Sequence, residues 1–180
     1  MQISAELDRR FREAAAAAGL LDAAYDLVDS PVGTLLVAAT DRGLCRISYT
    51  QDVDALAAAI GPRVLRVPSR LAEVEHQLEE YFAGERQTFD LELDLRAPAF
   101  QEQVLRELAL VPYGELATYG ELARRIGKPR AARAVGGALN RNPVPIVLPC
   151  HRVVGAGGAL VGYAGGLDRK RALLALEAAA

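Results

Sequence analysis

Cysteine, histidine and long apolar runs are all scarce in this chain. Two cysteines, Cys45 and Cys150, among 180 residues are too few for a disulfide framework. Two histidines, His76 and His151, with no Cys-x-x-Cys or His-Glu-x-x-His spacing, leave little to build a zinc site from, so no metal is expected. No apolar run approaches the ~20 residues needed to cross a bilayer. Met1 to Glu13 mixes acids with arginines and lacks the apolar stretch of a secretory signal. The expectation is a cytoplasmic protein with no membrane partner, its cysteines kept as thiols. What the chain does have is core material. Hydrophobic residues make up 51% of it, which excludes a disordered or low-complexity chain. Its length falls between the usual sizes of one and two domains.

A net charge of −2 argues against a nucleic-acid partner only if the charge is evenly spread. It is not. Residues 1–100 hold 17 acidic against 10 basic side chains, and residues 101–180 hold 6 against 11. Arg124, Arg125, Lys128, Arg130, Arg133 and Arg141 follow one another with no acid between them. Such a run is either a solvated basic face or a footprint for a phosphate backbone.

Ser4 can cap a helix to about Ala18, an appendage over residues 1–22. Three strand-like runs follow, Ala23–Asp29, Thr34–Thr40 and Leu44–Tyr49. The turn signals Ser30-Pro31-Val32-Gly33 and Asp41-Arg42-Gly43 separate them, predicting an antiparallel meander. Helices are predicted at Val53–Ile60 and, capped by Ser69, from Leu71 to Phe82. Phe89–Leu95 alternates as a half-exposed strand or an extended connector would, placing the boundary of a first domain (23–92) near there. A second domain (97–180) opens with a helix from Pro98 to about Leu110. Thr118 with Glu121 forms a capping box for a helix to about Ile126. Gly127-Lys128-Pro129 then turns into a second short helix, Ala131–Leu139, giving a helix-turn-helix where the basic residues cluster. That second helix is nearly bare: Ala131, Ala132, Ala134, Gly136, Gly137 and Ala138 surround Arg133 and Leu139. Its small residues fit either tight packing on a neighbouring helix or close approach to a nucleic-acid groove. With only Arg133 for base edges, it should bind with little sequence preference. Asp168 is expected to cap a last helix to about Ala178.

The run Asn142-Pro143-Val144-Pro145-Ile146-Val147-Leu148-Pro149-Cys150-His151-Arg152-Val153-Val154 carries the chemistry. Its three prolines exclude helix and central strand and favour an extended, buried path. Cys45, in a strand with no histidine near, reads as an inert core thiol. Cys150 is followed directly by His151. Apolar burial raises a thiol's pKa, so a nucleophilic Cys150 needs such a base. Neighbouring side chains on an extended path point apart, which favours a bridging water between them. His151 also needs an orienting acceptor. After residue 121 only Asp168 and Glu177 are available, and Glu177 is the better placed. His76, among glutamates, reads as surface.

This run, followed by Gly162-Tyr163-Ala164-Gly165-Gly166-Leu167, closely resembles the O6-alkylguanine-DNA alkyltransferases (methylated-DNA–protein-cysteine methyltransferases). The similarity extends upstream through Tyr113-Gly114, Thr118-Tyr119 and Ala131–Gly136, strongly over residues 98–177. Before residue 92 it is one of layout. The resemblance implies an α/β (α+β) fold. A small N-terminal antiparallel sheet with helices would precede a mostly helical domain holding a winged helix-turn-helix-like motif. It implies Cys150 as a suicide acceptor of the alkyl group, His151 deprotonating it through a water, and Glu177 holding His151. Asn142 would fix the turn into the active-site segment, Tyr119 would turn the phosphate and give a proton to the leaving guanine, and Lys170 would support Tyr119. Arg133 would fill the stack left by the flipped base, with Ala131, Ala132, Gly136 and Arg141 also at the DNA. Leu139 and Tyr163 would line the alkyl pocket, and the backbone at Val153 and Ala164 would read the guanine edge. The partner is double-stranded DNA containing O6-alkylguanine, bound by a monomer without a cofactor. Small Ala164 and Gly165 leave some room for O4-alkylthymine or bulkier adducts.

Two other classes are weighed against this. A cysteine hydrolase with a Cys-His-Glu triad would place its nucleophile and histidine far apart, not adjacent. A plain helix-turn-helix regulator would carry base-reading polar side chains on its second helix.

Overall fold

The computed structural model describes residues 4–178. They fall into two compact units. One comprises residues up to Glu80 with Asp90–Asp94, the other Tyr81–Phe89 and the residues from Leu95 on.

In the first unit, the Ser4 hydroxyl accepts from Leu7 N–H and starts helix α1 (Ala5–Ala17). Strands β1 (Ala23–Val28), β2 (Leu35–Thr40) and β3 (Gly43–Ser48) pair antiparallel in succession. Leu35, Leu36, Val37 and Ala38 are all fully buried, so β2 is covered on both faces and reads as a continuous apolar run rather than an alternation. Helix α2 (Val53–Ile60), capped by Asp52, packs Leu56 onto Ala23, Leu36, Ala38 and Cys45. It then serves as the crossover to β4 (Val64–Arg66), which lies parallel to β1. The sheet order is β3-β2-β1-β4, so the expected antiparallel sheet is in fact mixed. Three residues were too few to show a period-two pattern.

The outer edge of β3 is covered by its own chain. Leu44 N–H donates to Glu92 O at 2.8 Å and Asp94 N–H to Leu44 O at 2.9 Å, so residues 89–95 form an extended connector with one ladder contact. A Cβ at Gly43 would stand 2.3 Å from Glu92 O, and its φ of +130° suits only glycine. The expected Ser69 cap is also corrected. Pro68 starts a 3₁₀ turn, Pro68–Arg70, and helix α3 (Ala72–Phe82) follows it.

The second unit begins with the last turn of α3. Helix α4 (Ala99–Ala109) buries Val104, Leu105 and Leu108. The helix-turn-helix is α5 (Tyr119–Arg125) and α6 (Ala132–Asn140). The Thr118–Glu121 capping box is complete: Thr118 Oγ1 accepts from Glu121 N–H, and Glu121 Oε2 accepts from Thr118 N–H. At the other end of α5, Lys128 N–H reaches Ala123 O across Gly127 (φ +72°), closing the helix sharply enough for α6 to turn back. Short strands β5 (Ala117–Thr118) and β6 (Val153–Val154) pair parallel. Helix α7 (Leu167–Ala178) ends the described chain. Asp168 lies inside its first turn, paired with Arg171 at the surface, and is not the expected cap. Among the described residues no helix is long and apolar enough to cross a membrane.

Candidate active site

The segment between α6 and β6 is held by its own side chains. Asn142 Oδ1 accepts from Val144 N–H at 3.1 Å, making a side-chain turn, and Asn142 Nδ2 donates to Leu148 O at 2.8 Å. Gln101 of α4 donates to Arg141 O at 2.7 Å, fixing the end of α6. Within this clasp Ile146 is fully buried with φ +77°. A β-branched residue there stores about 1–3 kcal/mol, which only a tightly tied loop sustains. Pro149 (φ −82°, ψ 62°) then makes an inverse γ-turn, with Cys150 N–H on Leu148 O at 2.8 Å. Cys150–Arg152 is a 3₁₀ turn, correcting the expected extended path at the cysteine itself.

The turn faces Cys150 towards a cavity of about 350 Å³. Leu139, Tyr163 and Ala164, expected at the pocket, line it with Cys150, as do Tyr119 and Gly136, expected at the DNA. Val161, Gly162, Gly137 and Asn140 line it too and were not anticipated. Val153 is fully buried, and its carbonyl accepts from Lys170 Nζ at 2.6 Å. Pairing with β5 draws Val153 into the unit's interior. Asn142 Nδ2 also reaches Cys150 Sγ at 3.2 Å.

Behind Cys150, His151 is 0% and Glu177 3% exposed. His151 Nε2 is 2.7 Å from Glu177 Oε1. The same carboxylate accepts from Arg152 Nε (2.9 Å) and Nη2 (3.0 Å), from Tyr81 Oη (2.7 Å) and from Gly114 N–H (3.2 Å). Arg152 Nη1 continues to Val111 O at 2.7 Å. Burial would raise the Glu177 carboxyl, but the donors from His151, Arg152 and Tyr81 outweigh it and hold it at about 2. Burial lowers the basicity of His151 in spite of that carboxylate. A neutral His151 beside an ionised carboxylate must donate through Nε2, which leaves the Nδ1 lone pair as its acceptor. Nδ1 is buried and has no hydrogen-bond partner among the described residues. No hydrogen bond joins it directly to Cys150. Burial also pushes the Cys150 thiol up to about 11, with Asn142 and the Lys170 ammonium only partly offsetting it.

Lys170 is 0% exposed and donates to the carbonyls of Val153 and, at 3.3 Å, Val161. Tyr119 Oη donates to the same Val161 oxygen at 3.0 Å. Lys170 and Tyr119 therefore meet through a shared carbonyl rather than directly. On α6, Val135, Ala138 and Leu139 are buried while Arg133, Ala134 and Asn140 face outwards, as does Arg141 just beyond it; Ala131 and Ala132 are half-buried at its start. A Cβ at Gly136 would stand 3.7 Å from the Tyr119 ring, an ordinary contact distance. His76 pairs with Glu80 at the surface, and Cys45 is a buried thiol whose Sγ sits 3.3 Å from Ala38 O.

Residues 99–179 match the family model described as the DNA-binding domain of 6-O-methylguanine DNA methyltransferase. Residues 23–95 match its ribonuclease-like domain. The chain belongs to the methylated-DNA–protein-cysteine methyltransferase family. The enzyme of Mycolicibacterium paratuberculosis is 50% identical over 153 residues, covering 85% of this chain and 91% of that one. That of Methanosarcina acetivorans is 44% identical over 160 residues, covering 85% and 97%. The crystal structure of Mycobacterium tuberculosis OGT in complex with DNA superposes with a TM-score of 0.78 at 43% identity, covering 87% of this chain and 93% of that one. As a member of this methyltransferase family, the protein repairs DNA directly, transferring an alkyl group from O6-alkylguanine to one of its own cysteines.

Set in this methyltransferase, two side chains stand out that sequence reasoning did not single out. Arg152 had a signal, since it directly follows His151. Tyr81 had none, because 96 residues separate it from Glu177.

Proposed function

We propose that Cys150 is the alkyl acceptor and that His151 and Glu177 prepare it. The observation that carries this is one arrangement: Cys150 lines the cavity, and its neighbour His151 is fixed as a donor to a buried carboxylate with Nδ1 left as a base. With burial raising the Cys150 thiol to about 11, its resting form at pH 7 is the protonated thiol. The thiolate is therefore made at the moment of use. Its proton passes through a water to His151 Nδ1, and Glu177 stabilises the imidazolium without taking the proton.

The damaged base reaches the cavity by leaving the duplex, at a cost of a few kcal/mol. Helix α6 lies along the DNA through Ala131, Ala132 and Gly136, with Arg141 on a phosphate. Arg133, exposed and without a partner among the described residues, fills the vacated stack. Leu139 and Tyr163 hold the alkyl group, and the Ala164 backbone reads the guanine edge. Sγ attacks the alkyl carbon in line with the bond to O6. The S–C bond forms as C–O6 breaks, and guanine leaves with a proton from Tyr119. Tyr119 regains a proton from solvent and His151 gives one up. Asn142 keeps Sγ aimed, and Lys170 holds the Val161 carbonyl that positions Tyr119. The thioether does not hydrolyse, so each monomer acts once. The reaction needs no cofactor, and it proceeds in the cytoplasm, where both cysteines remain thiols.

The test is intact and peptide mass after incubation with a duplex carrying O6-methylguanine. One added methyl per protein, mapped to Cys150 and absent from a Cys150→Ala variant that still binds the duplex, is expected. A methyl found on Cys45, or transfer retained by Cys150→Ala, would overturn the assignment. The same assay with O4-methylthymine decides whether the cavity accepts it.

A further inference from the structure

The matched N-terminal domain runs to residue 95, yet its helix α3 does not end in its own unit. Tyr81 and the residues to Phe89 belong to the unit that holds Cys150. Tyr81 is 0% exposed, and its ring is fixed edge-on against Phe82 and Tyr113 and tilted against Phe89. That packing brings its hydroxyl to Glu177 Oε1 at 2.7 Å, the oxygen that His151 Nε2 also faces at 2.7 Å.

We propose that Tyr81 is a positioning residue for the transfer reaction: its phenol O–H shares Glu177 Oε1 with His151 and thereby sets how strongly the carboxylate stabilises a proton on His151. The proposal rests on the reading of His151 as the base for Cys150. A hydrogen bond to an ionised carboxylate draws charge from the oxygen it meets. Less charge is then left facing Nε2. The other groups around this carboxylate are accounted for. Arg152, from the 3₁₀ turn, grips both oxygens, and Gly114 N–H, from the turn after α4, meets Oε2. The Tyr113 ring lies beneath the Arg152 guanidinium, and Lys170 of α7 acts on His151 as a second positive charge. Among the described residues only Tyr81 adds a neutral donor, besides His151 itself, to the oxygen that faces His151. The last turn of α3, within the matched N-terminal family domain, is thus a working part of the chemistry.

The experiment compares Tyr81→Phe with wild type in single-turnover transfer from an O6-methylguanine duplex between pH 5 and 9. Phenylalanine keeps the ring contacts and leaves no donor or acceptor stranded, so fold and DNA affinity should be unchanged. Freed of the phenol, Glu177 holds a proton on His151 more strongly. The acid limb of the rate profile should move up by about half a pH unit, a roughly three-fold slower rate at the low end. Rates above pH 8 should stay within two-fold of wild type. Superimposable profiles, or a lower melting temperature with an unmoved limb, would overturn the proposal and leave Tyr81 a packing residue. His151→Gln tells which reading has failed. If it keeps the wild-type acid limb, the base is not His151, and the role of Tyr81 falls with it.

Discussion

Replacing Glu177 by glutamine removes one charge from a carboxylate that accepts five hydrogen bonds. The cost can be reached by two routes. Folding lowers this carboxyl from 4.5 to about 2, which corresponds to about 3 kcal/mol of stability at pH 7. Independently, stripping one partner from a buried ion pair costs about 3–5 kcal/mol, and Arg152 would be left with a side chain only 7% exposed. Both point to a loss of about 3 kcal/mol, a fall in melting temperature of at least about 10 °C for a unit of this size. The pH dependence has a definite sign. Because the folded carboxyl is held low, its contribution is whole above about pH 4.5 and is lost as the pH falls towards 2. Denaturant unfolding followed by circular dichroism at pH 7 and pH 3 reads both effects. Glu177→Gln should be about 3 kcal/mol weaker than wild type at pH 7, and the gap should shrink to about 1.4 kcal/mol at pH 3. A variant within 1 kcal/mol of wild type at pH 7, with the same acid response, would refute the reasoning.

Two further outcomes are expected. Arg133→Ala should slow repair in duplex far more than methyl transfer from the free modified base, measured by single-turnover kinetics on both; equal loss would show that Arg133 takes no part in base flipping. Asn142→Ala leaves Val144 N–H without its acceptor and Cys150 without its amide donor. It should cost about 2 kcal/mol in denaturant unfolding and move the thiol titration, read from alkylation rate against pH, higher still.

Much of this molecule is legible in its sequence. Turn residues and apolar runs located β1 to β3, because β-turns and buried strands have local requirements. The Thr118–Glu121 box and Gly127 marked the helix-turn-helix for the same reason. Errors fell where the deciding interaction was not local. Strand β4 exists because α2 returns it to β1, which its three residues do not announce. Asp168 is a plausible cap by type, yet α7 begins before it.

The adjacency of Cys150 and His151, and the choice of Glu177 as the carboxylate that His151 meets, were determined by sequence alone. Adjacency put thiol and imidazole together, and few acids remained downstream. What only the tertiary structure decided is how that carboxylate is held. Arg152, Tyr81 and Gly114 converge on it from three separate stretches of chain, and burial makes each donor count because no water competes for the same oxygens. Sequence separation carries no record of such convergence. The folded packing of Tyr81, the turn after α4, the 3₁₀ turn and α7 creates it.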